Sequence, residues 1–244
     1  MNYLNKLYSY LLLSLISILF VNAHPATIKQ DIDWPQFMSQ QDMIWEKLPE
    51  YWYDSAFLGN GKLGLMIYKE PGKNYLRLET GNCDVHDHRT KRDVFGIPRL
   101  LTGHFALHPK GKIINGTMHL DLWNAEVSTD ITTTKGVIHL RSFVHADEMM
   151  IIVKATTEGD EHDFQWEWIA AEANSPRYLI FKRQGKANKI PKDYELNPTA
   201  KISNEKEVNL SVQKLLAGGE TSIGWDRKCK PGGYPLQCKF QGQY

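Results

Sequence analysis

Apolar and polar residues alternate along most of this chain with a period of two. Arg77 and Glu79 interleave with Leu76 and Leu78, and His119 and Asp121 interleave with Met118, Leu120 and Leu122. Residues 137–144 (VIHLRSFV) form another such run, residues 149–156 are rich in β-branched types, and Phe164, Trp166 and Trp168 fall on one side of the next. Side chains on a strand point to opposite faces in turn, so each run predicts a strand with one face in a core. Turn-forming residues separate them at 109–111 (PKG), 115–116 (NG), 134–136 (TKG) and 158–160 (EGD). No dozen consecutive residues carry a persuasive 3.6 period. Residues 205–216 come nearest, yet Val208, Leu210 and Val212 fit a strand as easily. Residues 176–198 read as a basic, loop-rich stretch on a solvated surface, and residues 24–41 as irregular. The expected fold is all-β: a large antiparallel β-sandwich.

One stretch stands out within this pattern. Residues 58–68 (LGNGKLGLMIY) run from a glycine-punctuated turn straight into a β-favouring apolar segment. Gly59, Asn60 and Gly61 are types that accept left-handed backbone angles, so the turn launches a strand and leaves its polar neighbours at one rim.

The N-terminus has a different character. Lys6, the apolar run 11–21 and the small-residue end at 21–23 (VNA) read as a signal peptide, residues 1–23, too short to span a bilayer comfortably. The remaining domain, 24–244, is then expected to be secreted or periplasmic, with no membrane association after cleavage. Removing Lys6 from 29 basic residues leaves 28 against 28 acidic ones. A neutral chain has no electrostatic footprint for phosphate backbones, which argues against nucleic acid. The tail beyond residue 218 is rich in Gly and Pro and reads as the boundary of a partial protein. Its Cys229 and Cys238 flank a Pro–Gly turn and are a possible disulfide in an oxidising compartment, leaving Cys83 as a buried thiol. The spacing of three cysteines gives no zinc signature.

Chemistry is sparse. Asp84, His86, Asp87, His88 and Arg89 form the densest polar cluster; on a strand, Asp84, His86 and His88 share a face. That set fits a polar network tying a loop to the sheet, hydrogen bonding to a sugar, or a metal site with too few ligands fixed by spacing. Asp121, Glu126, Asp130, Glu167 and Glu172 are candidates for a glycosidase-type carboxylate pair, although exposed strand positions account for them as well. There is no G-x-S-x-G, H-E-x-x-H or P-loop motif. Trp45, Tyr51 and Trp52 are candidates either for packing on a sheet or for stacking on pyranose rings.

Taken together, WEKLP (45–49), FLGNGKLGLMIY (57–68) and LRLE (76–79) with the polar loop that follows resemble the N-terminal domain of glycoside hydrolase family 95. The variant DVHDHR (84–89) is closer to uncharacterised secreted bacterial relatives of that family. The resemblance implies a supersandwich-like β-domain that precedes a catalytic (α/α)6 barrel in inverting exo-glycosidases acting on α-L-fucosides or α-L-galactosides. It further implies carbohydrate and a C-terminal barrel as partners. The general acid of such enzymes lies in the barrel, which this chain lacks, and the family's N-E-D-x-L-W-x-G segment is replaced here by 79–89. No catalytic residue is carried over, and no cofactor or metal is expected. The resemblance leaves Asn60, Asp84, His86, Asp87, His88 and Arg89 as rim residues that contact substrate, with a free-standing carbohydrate-binding or structural module as the alternative.

Overall fold

The computed structural model describes residues 31–86, 99–192, 194–205, 208–214 and 235–241. The signal segment, Asp87, His88, Arg89 and Cys229 lie outside the described residues, and of Cys238 only the backbone is described, so the disulfide expectation falls outside them too. The chain divides into two compact units, Met1–Phe37 and Met38–Tyr244. In the first, the expected irregular stretch instead begins a short helix, α1 (Trp34–Ser39). Asp33 supplies the reason: its Oδ1 accepts from the Gln36 amide at 3.1 Å, satisfying one of the orphan donors of the first turn.

The second unit is built of antiparallel sheets, as the alternation predicts. One is a five-stranded sheet ordered β1 (Met43–Trp45), β6 (Ile113–Asp121), β7 (Glu126–Thr133), β8 (Gly136–Val144) and β9 (Ile151–Gly159). The other, also five-stranded, is ordered β10 (Gln165–Ala170), β5 (Gly103–His108), β4 (Leu76–Asn82), β3 (Leu63–Lys69) and β2 (Ala56–Gly59). Strands β11 (Lys201–Glu205), β12 (Val208–Lys214) and β13 (Pro235–Gln241) form a three-stranded sheet, so the described residues of the ambiguous 205–216 stretch are strand.

The inner faces of the two five-stranded sheets share one core. Leu58, Leu65, Ile67, Leu76, Leu78 and Leu107 from one meet Met118, Leu120, Val127, Ile131, Ile138 and Leu140 from the other. Each fully buried aliphatic side chain is worth about 1.5–3 kcal/mol relative to exposure. Parity puts Thr129 and Ser142 in that core as well, where both hydroxyls are buried without a hydrogen-bond partner.

Two further expectations need correction. The pair Asn115–Gly116 is not a turn: it sits inside β6 beside a register shift between Ile113 and Asn115, with Gly116 buried against Leu48. The hairpin turn falls instead at 122–125, where Ala125 takes a positive φ of 52° and Asp121 accepts from the Asn124 amide at 2.9 Å. The basic stretch 176–198 contains an exposed helix, α2 (Pro176–Arg183), with Pro at its start, where a missing N–H costs nothing. Its charges concealed it, because a helix burying no residue leaves no apolar stripe to read.

Candidate functional site

The outer faces of the two sheets differ in kind. On the β1–β6–β7–β8–β9 sheet, outward positions hold charges paired in water, including Arg141 with Glu126 and His139 with Asp130 at 2.6 Å. Two of the sequence-nominated carboxylates therefore serve surface pairs, and Asp121 caps a turn. Glu172 is exposed, and Glu167 pairs with His108 at 2.9 Å on the other sheet. The structure does not bring these five together as an acid pair.

On the β10–β5–β4–β3–β2 sheet, the outward residues of the central strands β3, β4 and β5 are largely withdrawn from water, whereas Phe57 on β2 and Glu167 on β10 remain exposed. Tyr68 on β3 faces Arg77 on β4, which faces Ala106 on β5; Met66, Glu79 and His104 form the neighbouring row. The Tyr68 hydroxyl donates to Glu79 Oε2 at 2.7 Å. Arg77 Nη1 donates to Glu70 Oε2 at 3.0 Å, and its Nε lies 3.2 Å from Glu79 Oε2. The guanidinium also sits 5.7 Å from the Tyr68 ring centroid, within cation–π range. Burial, then the Glu79 bond, pushes the Tyr68 phenol far above its ordinary range, so it remains a proton donor.

His104 belongs to the same face. Its ring is stacked beneath Tyr75 at 6.3 Å, only 7% of the residue is exposed, and its Nε2 is buried without a hydrogen-bond partner. Burial, reinforced by the nearby Arg77 charge, holds its pKa below the usual histidine value. The sequence reading missed Arg77, Glu79, Tyr68 and His104 as a cluster. Alternation set Arg77 and Glu79 apart from Leu76 and Leu78, but the strand that carries His104 was not among the runs read, and Tyr68 counted only as part of an apolar segment.

Beside this cluster the sheet is bare. Gly59, Gly64 and Gly81 lie side by side across β2, β3 and β4. A Cβ on Gly81 would meet nothing within 4 Å, and one on Gly64 nothing closer than 3.8 Å. Gly64 and Gly81 floor an open groove of about 440 Å³ whose lining includes Phe57, Met66, Glu79, Arg99 and Leu101.

Of the expected rim residues, Asn60, Asp84 and His86 are described; none lines the groove itself, although their neighbours Gly61, Lys62 and Cys83 do. The Asn60 side chain holds the β2–β3 turn to the β8–β9 connection. Its Nδ2 donates to the carbonyls of His145 (2.9 Å) and Glu148 (3.2 Å). Its Oδ1 accepts from the amides of Lys62 (3.0 Å) and Leu63 (2.8 Å). All four hydrogen-bonding positions of the amide are thereby engaged by backbone. The turn meets the start of the polar loop through the Cys83 amide, which donates to the Lys62 carbonyl at 2.8 Å. Asp84 is exposed, and His86 is half-buried and bridges to Arg99. Val85 between them is buried with Leu100 and Ala173. Cys83 is half-buried rather than buried.

The aromatic candidates separate. Trp45 packs against the core, and its Nε1 donates to the Asp54 carbonyl at 2.8 Å. Tyr51, Trp52 and Tyr53 stand exposed on a 3-10 turn (Trp52–Asp54). Among the described residues no group of three or more His, Cys, Asp or Glu is placed to hold a metal, and no helix is long and apolar enough to cross a membrane. The chain matches no protein-family model and no curated protein sequence.

Proposed function

We propose that this chain is the N-terminal scaffold sandwich of an exported glycoside hydrolase of the family-95 kind. In this reading it packs on a C-terminal catalytic barrel and lends loops to a sugar site of the α-L-fucosidase or α-L-galactosidase type. The supporting observation is the contrast between the two outer faces. One is an ordinary solvated surface. The other withdraws a Tyr–Arg–Glu–His cluster from water beside a bare-backbone groove whose lining includes Asn82 and Cys83, directly before Asp84 in the chain. Its most withdrawn carboxylate, Glu79, is held by Tyr68 and Arg77, and the fully buried Glu161 by backbone amides. Carboxylates held in this way serve positioning; a general acid needs a proton it can release to a leaving group.

The experiment compares this chain with the protein extended through its downstream reading frame, using 4-nitrophenyl α-L-fucoside and α-L-galactoside. The reading expects turnover from the extended protein and none from the chain alone. Turnover by the chain alone, or by neither, overturns it.

A further inference from the structure

One group of large exposed side chains lines an edge of this unit. Tyr51, Tyr53 and Phe57 are 51%, 63% and 56% exposed, with Met43, Ile44 and Ile114 nearby. They line a second open groove, of about 1440 Å³, bounded by residues 43–55 on one side and 113–115 on the other. Phe57 belongs to the walls of this groove and of the glycine-floored one, so the two adjoin at Phe57 on β2, the edge strand of its sheet.

The rings are presented by a rigid support. The Lys69 amide donates to the Pro49 carbonyl at 2.8 Å, Trp45 Nε1 ties down Asp54, and Ser55 Oγ donates to the Trp52 carbonyl at 2.7 Å. Leu48, Pro49 and Ser55 are buried beneath. Tyr51 and Tyr53 stack on each other at 5.2 Å with planes 4° apart, which fixes both rings. A ligand that stacks on rings already ordered avoids the entropy of ordering them.

We infer that this aromatic groove, with the glycine-floored one adjoining it at Phe57, binds a neutral glycan several sugar residues long. Four properties select that occupant. Pyranose rings offer apolar C–H faces to aromatic planes, and half-exposed Tyr and Phe rings supply such planes. The groove walls interleave these rings with hydrogen-bonding groups, namely the Lys69–Glu50 ion pair at 2.8 Å and the Asn115 amide, which suit hydroxyls. Across both grooves four carboxylates balance four basic side chains, which favours an uncharged polymer over an acidic or basic one. The core of a protein–protein interface is depleted of charge, unlike this lining. Finally, the larger groove alone exceeds the ~300–1,000 Å³ of small-molecule pockets, so a chain fits it better than a single sugar.

The inference takes from the proposed function only that the protein works on carbohydrate. It is tested on the full chain by affinity electrophoresis in gels containing fucosylated xyloglucan, galactan or arabinoxylan, and by calorimetry with a heptasaccharide and with free fucose. The expected result is retardation in at least one gel, with the heptasaccharide of that polymer binding and free fucose not. Tyr53→Ala and Phe57→Ala should each weaken binding about threefold to tenfold, because one stacking ring carries about 0.5–1.5 kcal/mol. Both residues are more than half exposed, so unchanged thermal melting separates lost binding from lost folding. No retardation in any gel, or variants retarded like the wild type, overturns the inference. So does self-association of the wild type that the variants lose without any glycan effect, since that marks a protein interface. Aryl-glycoside turnover reads the scaffold proposal separately: turnover by the extended protein without retardation sinks the groove alone, and retardation without turnover sinks the scaffold alone.

Discussion

His104 shows how a single side chain can make a sheet face sensitive to pH. Its imidazole is held neutral by burial and by Arg77, with Tyr75 stacked over it and Glu70, Glu79 and Glu167 offsetting part of the effect. An unfolded histidine titrates near 6.5. Because the folded pKa is lowered, the folded state binds fewer protons than the unfolded one below that value. His104 therefore stabilises the fold fully above pH ~6.5, and the contribution is lost as pH falls toward its folded pKa. The slope from one such group is at most about 1.4 kcal/mol per pH unit. The expected outcome is a urea midpoint that drops between pH 7 and pH 5, with a smaller drop in His104→Gln. Equal drops in the two proteins would show that His104 plays no part. Neither the burial nor the stacking was legible in the sequence, because the strand that carries His104 was not among the runs read from the alternation.

At the scale of elements, the turns carry more specificity than the strands. The strands were legible because a period of two needs only local information: β3, β4, β6, β8, β9 and β10 each overlap a run read from the alternation, although β6 reaches back through the Asn115–Gly116 pair read as a turn. The turns were less so, since their geometry is fixed by partners far along the chain. Glu161 is the clearest case. It follows β9, is fully buried, and reaches back 50 residues to accept from the amides of Lys110 (2.9 Å) and Gly111 (2.7 Å). It also accepts from the Thr133 hydroxyl, so one carboxylate ties the β5–β6 crossover between the two sheets to the β7–β8 hairpin. Gly111 is glycine because a Cβ there would lie 2.5 Å from that carboxylate and 2.7 Å from Thr133 Oγ1. Glu161→Gln keeps the size but turns an amide donor toward at least one backbone donor. Hydrogen bonds to a charged group contribute about 1.5–3 kcal/mol, and a stranded buried donor costs about 1–3 kcal/mol more. A loss of about 3 kcal/mol in unfolding free energy is expected by denaturant titration, and a loss under 1 kcal/mol would show that the crossover and the hairpin hold without it. The sequence marked the Pro–Lys–Gly turn correctly but could not reveal its distant clasp.

For the whole molecule, the decisive property is that one sandwich turns two unlike faces outward. Alternation gives both sheets polar outward positions, so the sequence presents the faces as equivalent. They diverge because residues of very different volume share those positions. On the β6–β7–β8 side, Thr132 is exposed between Asn115 and Val137, and a charge placed there remains in water. On the β3–β4–β5 side, long side chains lie down over short ones, leaving Ala106 fully buried between Arg77 and Glu167. A lysine at position 106 must displace that layer and bring a second cation beside the Arg77 guanidinium. Thr132→Lys should therefore change stability by no more than about 0.5 kcal/mol, whereas Ala106→Lys should cost about 2–4 kcal/mol, the range for overpacking combined with a poorly paired charge. Thermal unfolding of the two variants side by side checks this, with the exposed site as the control for adding a lysine to a strand. If both substitutions are tolerated alike, the second face is as solvated as the first. The contrast on which the scaffold proposal rests is then lost, while the aromatic groove at the β2 edge, which does not depend on Ala106, remains to be judged by its own binding test.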